Sequence, residues 1–219
     1  HGNAKNRNIF MDTYIMKKDL FIELIRKAKA ISSAFTLADI INELHNELDV
    51  RGISHRGFFA SITDFHSYYN ANMALLDYKE ALNLFDESWP IYARSVDAPP
   101  IYMGGDSRVS HSAINRGCDI EGTVENSVLS PRVTVEKGAK VSYSVLLPGV
   151  TVETGAVIEY AIIGEGCHIG KDCRVGGAPD SALDGKWDLT VLAPDCQLED
   201  GREVAPGIML DHHGKEVLK

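Results

Sequence analysis

The sequence predicts a chain of two architectures, a mixed helical and strand-like first half and a second half wound into a narrow parallel β-solenoid. Three observations carry this. Aliphatic residues recur at Leu129, Val135, Val141, Leu146, Val152, Ile158, Ile163, Ile169 and Val175, in steps of five or six whose successive triplets total 17 residues. The positions two before them (Ser127, Val133, Ala139, Ser144, Val150, Ala156, Ala161, Cys167 and Cys173) are mostly small. Between the halves, Pro90, Pro99 and Pro100 punctuate a linker, because Pro interrupts regular structure and stiffens connections. The expected division is 1–88, a linker over 89–110, and the solenoid over 111–219.

The first elements follow from local pattern. NIFMDTYIM (8–16) reads as strand-like, and KKDLFIELIRKAKA as a helix with Leu20, Leu24 and Ala28 four apart and its cations gathered toward the end, where the helix dipole favours them. TLADIINELHNEL opens a second helix with Thr36 as N-cap and Asp39 three residues on, an approximate capping box. LDVRGISH and GFFASI read as two short strands around Gly57. In DFHSYYNANMALLD, Asp64 is an N-cap and Phe65, Tyr69, Met73 and Leu76 form a helical stripe expected to be buried.

The second half has a different period. A branched aliphatic at the main position with a small residue two before it suits a triangular coil, whose interior holds one layer of side chains per face. APDSALDGKWD reads as a loop, after which the pattern resumes at Cys196/Leu198, Arg202/Val204 and Ile208/Leu210. Cys167 and Cys173 are small-slot residues. With no CxxC pair and no His cluster at zinc-ligand spacing, the four cysteines read as packing.

Composition bounds the function. The 219 residues are 44% hydrophobic and 24% charged, with a net charge of -9, which disfavours nucleic acid or an anionic membrane as the main partner. Nothing resembles a transmembrane span, HGNAKNRN lacks a signal peptide's apolar run, and a cytoplasmic address is expected by default. The absence of an initial Met, with the apolar IFMDTYIM following almost at once, reads as a fragment.

The coil pattern resembles the hexapeptide-repeat left-handed β-helix of sugar acyltransferases and of the C-terminus of sugar-nucleotide pyrophosphorylases. The hand is implied by the resemblance alone, since parallel crossovers are otherwise almost always right-handed. An acyltransferase would need a catalytic His as general base, for which His111 and His168 are the candidates. His168, in GCHIG, lies between an inward Cys and an inward Ile and should point outward as a surface residue.

The runs MDTYIM, GFFASITDFHSYYNAN and ENSVLSPRVTVEKGAKVSYSVLLPGVTVETGAVIEYAIIG together resemble glucose-1-phosphate adenylyltransferase, which makes ADP-glucose from ATP and glucose 1-phosphate for glycogen synthesis. They resemble more closely the regulatory, D-type subunit of the bacterial enzyme. The resemblance spans nearly the whole chain, the last third of the catalytic nucleotidyltransferase α/β domain preceding the β-helix. No GGxGTRL-like nucleotide loop occurs in these 219 residues.

Where the family carries W-x-D-x-G-T, with its Asp on the catalytic magnesium, counting back from YNAN puts Ser61 on the Asp, Thr63 on the Gly and Asp64 on the Thr. A neutral hydroxyl is a poor ligand for a hard cation that prefers anionic oxygen. The family's S-M-G-I-Y run, whose Ser contacts the sugar, aligns with FMDTY, placing Phe10 on that Ser and Asp12 on the Gly. The resemblance therefore implies a non-catalytic subunit that pairs with a catalytic one in a heterotetramer, with no catalytic residue or cofactor of its own and magnesium held by the partner. Sugar-phosphate effectors would bind near the domain junction, where Arg94, Arg108, Arg116 and Arg132 are candidates. The rival readings are a catalytically active adenylyltransferase and a hexapeptide acyltransferase.

Overall fold

The structure, a computed structural model, describes residues 10–28, 36–55, 57–88, 90–92, 97–178 and 189–217. The chain divides into two compact units between Arg56 and Gly57, earlier than the expected boundary at 88.

In the first unit, α1 (Lys18–Ala28) and α2 (Leu37–Glu43) are the two helices expected there. Asp19 in the first turn and Arg26 and Lys27 in the last complement the α1 dipole, and Glu23 pairs with Lys27 at 3.2 Å one turn on. The capping box of α2 is reciprocal: Asp39 N donates to Thr36 Oγ1 at 3.2 Å, and Thr36 N donates to Asp39 Oδ2 at 2.9 Å. Leu24 and Ile40 are buried.

Among the described residues, the three strand-like runs do not become strands. From Phe10 to Met16, from Leu48 to His55 and from Gly57 to Ile62, the described residues enter no ladder. Alternating or aliphatic residues supply the preference for an extended chain, but a strand exists only when a neighbour accepts its amides. Ile15, Val50, Ile53 and Ile62 accordingly stay exposed.

The second unit holds α3 (Phe65–Ala74), α4 (Tyr78–Leu84) and the solenoid. Asp64 caps α3, accepting from Ser67 N at 2.7 Å while Ser67 Oγ accepts from Asp64 N at 3.0 Å. Of the expected stripe, Tyr69 is buried and Met73 and Leu76 are half-buried, but Phe65 is exposed at the helix start. Asp77, whose carboxylate accepts from Lys79 N at 2.8 Å, caps the start of α4, a helix the period did not single out.

The solenoid consists of three parallel sheets of six strands each, one strand per face per coil, making six turns. The predicted 17-residue recurrence is the register itself: Val135 faces Val152 and Val152 faces Ile169 on the first face, and Val141, Ile158 and Val175 line up on the second. All nine predicted aliphatic positions and all nine small-slot positions are buried. The ladder starts earlier than expected, at Tyr102 against Asp119 and at Arg108 against Thr123, so the stretch read as linker already contains two faces of the first coil. The pattern also resumes earlier, since Ala161 pairs with Thr190 and Ile163 with Leu192 before Cys196 is reached. Most of the expected loop, 179–188, lies outside the described residues.

The corners need left-handed backbone. Arg132, Gly149 and Gly166 hold φ of 62, 71 and 67 at equivalent corners of successive coils, a conformation glycine adopts at little cost. Arg202, at a small-slot position of the last coil, is half-buried and turns its guanidinium to donate to Gly214 O in the segment that follows.

Candidate functional site

The three faces differ in what they turn outward. The first presents Asp119, Thr134, Thr151, His168 and Gln197, and the second presents Arg108, Thr123, Lys140, Val157, Arg174 and Glu203. The third turns out Val128, Val145, Ile162, Val191 and Met209. An apolar outer row must be covered, and α3 covers it: Tyr69 packs with Val145, Ile162, Leu189 and Val191, and Tyr68 and Met73 pack against the same cluster. Tyr69 Oη donates to Tyr143 O at 2.8 Å. Burial raises the Tyr69 phenol above its ordinary range. Sequence reasoning took this aromatic stripe as core without saying what it packs on. The signal was present in the apolar residue directly before each buried aliphatic on one face in three.

Between residues 58–62 and α3 lies an open groove of about 390 Å³ lined by Phe58, Phe59, Ala60, Ile62, Ala71, Asn72 and Leu75. Its walls are apolar apart from the Asn72 amide, whose Nδ2 donates to Tyr68 O at 2.9 Å. No lining residue is an acid, base or nucleophile, so the groove can hold an apolar or planar group but supplies no proton transfer.

Ser61, beside this groove, is exposed and presents a hydroxyl. The carboxylate nearest in sequence, Asp64, already accepts the Ser67 amide, a bond that lowers its titration below the usual carboxylate range. These residues do not fit a divalent cation, and no group of three His, Cys, Asp or Glu that could hold a metal occurs among the described residues. Phe10, in the first unit, is exposed, with its ring edge-on to Tyr14 at 5.1 Å.

Of the four arginines, Arg116 and Arg132 share one corner on successive coils, Arg132 N donating to Arg116 O at 3.1 Å. Arg132 Nη2 also holds Asp97 O at 2.9 Å. Arg108 starts a strand of the second face, away from that corner, and Arg94 lies outside the described residues.

The two histidines are separate. His111, at φ 43, meets Asn126 Oδ1 through Nδ1 at 2.8 Å. His168 points outward on the first face, as expected, with Nε2 3.1 Å from Glu153 Oε1. All four cysteines are free and buried, and burial pushes Cys167 up to about 12. Such thiols are poor nucleophiles, in keeping with a packing role. No helix among the described residues is long and apolar enough to cross a membrane.

The sequence model of the family described as GlmU-like, C-terminal hexapeptide, matches residues 102–190, in keeping with the left-handed β-helix expected. Among curated proteins, the chain is 45% identical over 85 residues to glucose-1-phosphate adenylyltransferase of Geobacillus stearothermophilus, covering 39% of this chain and 22% of that protein. It is 29% identical over 217 residues to glucose-1-phosphate adenylyltransferase of Acetivibrio thermocellus, covering 95% of this chain and 51% of the relative. The chain thus spans about half, or less, of the length of these relatives. Among solved structures, the acetyltransferase domain of PglB from Neisseria gonorrhoeae is similar at a TM-score of 0.42 and 21% identity, over 55% of this chain and 58% of that one.

Proposed function

We propose that this chain works in ADP-glucose synthesis for glycogen, as part of a regulatory, non-catalytic subunit of glucose-1-phosphate adenylyltransferase. Similarity over 217 residues to a glucose-1-phosphate adenylyltransferase supports the pathway. The observation that supports the regulatory reading is Ser61, a neutral hydroxyl beside a groove with no titratable wall, at the position where the resemblance puts a magnesium-binding carboxylate. Phe10 supports it from a second position, because a phenyl ring neither donates to nor accepts from a sugar hydroxyl.

In this reading the subunit assembles with a catalytic partner in a cytoplasmic heterotetramer, and the partner holds the magnesium. Arg116 and Arg132 are the residues assigned to a sugar-phosphate effector, since their backbones meet at one corner on successive coils and a phosphate accepts from more than one guanidinium. Arg108 lies on another face, and Arg94 lies outside the described residues.

The test is turnover of ATP and glucose 1-phosphate by the full-length parent protein, alone and mixed with a catalytic subunit. No turnover is expected alone, and a changed effector response in the mixture. The double variant Arg116→Gln/Arg132→Gln should blunt that response without lowering turnover in the absence of effector. Turnover by the isolated subunit that is abolished by Phe10→Ala overturns the reading in favour of a catalytic one.

A further inference from the structure

We propose that Arg132 is a clasp that fixes the segment leading into the solenoid, and that a phosphate bound at its guanidinium releases that segment. The release rests on the assignment of Arg116 and Arg132 to a phosphate-bearing effector; the clasp does not.

Tyr102 pairs with Asp119, and Asp119 with Thr134. Pro100, Gly117 and Arg132, each two residues before its strand, therefore stand on one corner of successive coils, followed there by Gly149, Gly166 and Asp195. From Gly117 to Asp195 the backbone at this corner is left-handed, with φ between 60 and 73. Glycine takes that conformation freely and aspartate more readily than most, whereas a long side chain raises its cost. An arginine set between Gly117 and Gly149 is unfavourable for the backbone alone, so the reason for it lies in what its side chain does.

That side chain reaches past the neighbouring coil, and Nη2 donates to Asp97 O at 2.9 Å. Gly117 makes the passage: a Cβ there would stand 3.2 Å from Arg132 Cγ and 3.0 Å from the Ala98 methyl. Pro99 and Pro100 have no amide hydrogen, so attachment of this segment falls to its carbonyls. Two of them are taken up on either side of Ala98, Asp97 O by Arg132 and Pro99 O by Gly117 N at 2.8 Å. A carbonyl is a neutral acceptor, and the charged oxygens of a phosphate are stronger ones for a guanidinium. Phosphate at this corner competes with Asp97 O for Arg132, so that occupancy of the corner is converted into freedom of the entering segment.

Hydrogen exchange of the 97–103 amides in the 219-residue chain tests both steps. Arg132→Gln should speed that exchange by roughly fivefold, about one hydrogen bond's worth, and leave 133–135 unchanged. Arg132→Gly, which relaxes the left-handed backbone, should loosen 97–103 as much. Gly117→Ala, which blocks the passage, should do the same. Gly149→Ala is the control, since it brings the same backbone strain with nothing within 4 Å of the added methyl, and should leave 97–103 as in the wild type. Unchanged exchange in Arg132→Gln, or equal loosening by Gly149→Ala, overturns the clasp. Inorganic phosphate, against chloride at equal ionic strength, should speed exchange of 97–103 in the wild type and add nothing in Arg132→Gln. Calorimetric binding of phosphate that leaves 97–103 unchanged or slower overturns the release while the effector assignment stands. Absence of binding overturns both.

Discussion

At the scale of the residue, the interior thiols show how little room the coil leaves for charge. Burial pushes Cys167 from its ordinary 9.0 up to about 12, and Cys118, Cys173 and Cys196 are raised for the same reason. The native state keeps the Cys167 proton where the unfolded chain has begun to lose it. The stabilising contribution is therefore complete below 9.0 and is lost as pH rises toward about 12. Urea midpoints measured at about pH 8 and about pH 10.5 should fall with pH, and the fall should be smaller in Cys167→Ala. A thiol reagent at neutral pH should label the cysteines only at the rate of unfolding. The slots accept Ser and Cys as well as Ala because each is small, and Ser127 and Ser144 offset the burial of a hydroxyl by donating to a carbonyl of their own coil and accepting an amide from the next.

At the scale of the element, α3 is held from both ends of its logic, a cap that starts it and a face that receives it. The Asp64 carboxylate is held below the usual range by the Ser67 amide. Its contribution is present above the ordinary carboxylate range and is lost as pH falls through the lowered folded value. Exchange of the 65–75 amides, corrected for intrinsic rates, should therefore speed up on acidification, and Asp64→Asn, which keeps a capping oxygen, should remove that dependence. The capping box of α2 and the N-cap of α3 were readable because cap and partner lie within four residues. The strand-like runs expected at 8–16, 48–55 and 57–62 form no ladder among the described residues, because a ladder partner is a long-range fact that local alternation cannot supply.

At the scale of the whole molecule, the solenoid stacks one supersecondary unit six times, so each coil is stabilised by its neighbours. Ile158, in a middle coil with coils on both sides, should cost about 2–5 kcal/mol on replacement by Ala, from lost contacts and the cavity left. Leu210, in the last coil, has a coil on one side only and should cost less, its effect showing as local fraying. Val157→Ala, one residue from Ile158 but facing outward, should lie within about 0.5 kcal/mol of the wild type. Denaturant unfolding of the three variants checks the order; equal losses at 157 and 158 would contradict the inward and outward assignment.

The sequence by itself determined the coil: the 17-residue period, the inward aliphatics and the small slots could all be read directly, because a solenoid's contacts are nearest-neighbour and its repeat appears in the chain order. Of the candidate site, Ser61 and Phe10 were legible as residue types. Only the tertiary structure decided that Arg116 and Arg132 share a corner while Arg108 does not, and that α3 lies on the third face with Tyr69 on the Tyr143 carbonyl. The physical reason is the same in each case. Winding the chain brings residues together according to the face and coil they occupy, and a contact such as that between residues 69 and 143 spans a separation that local pattern does not encode.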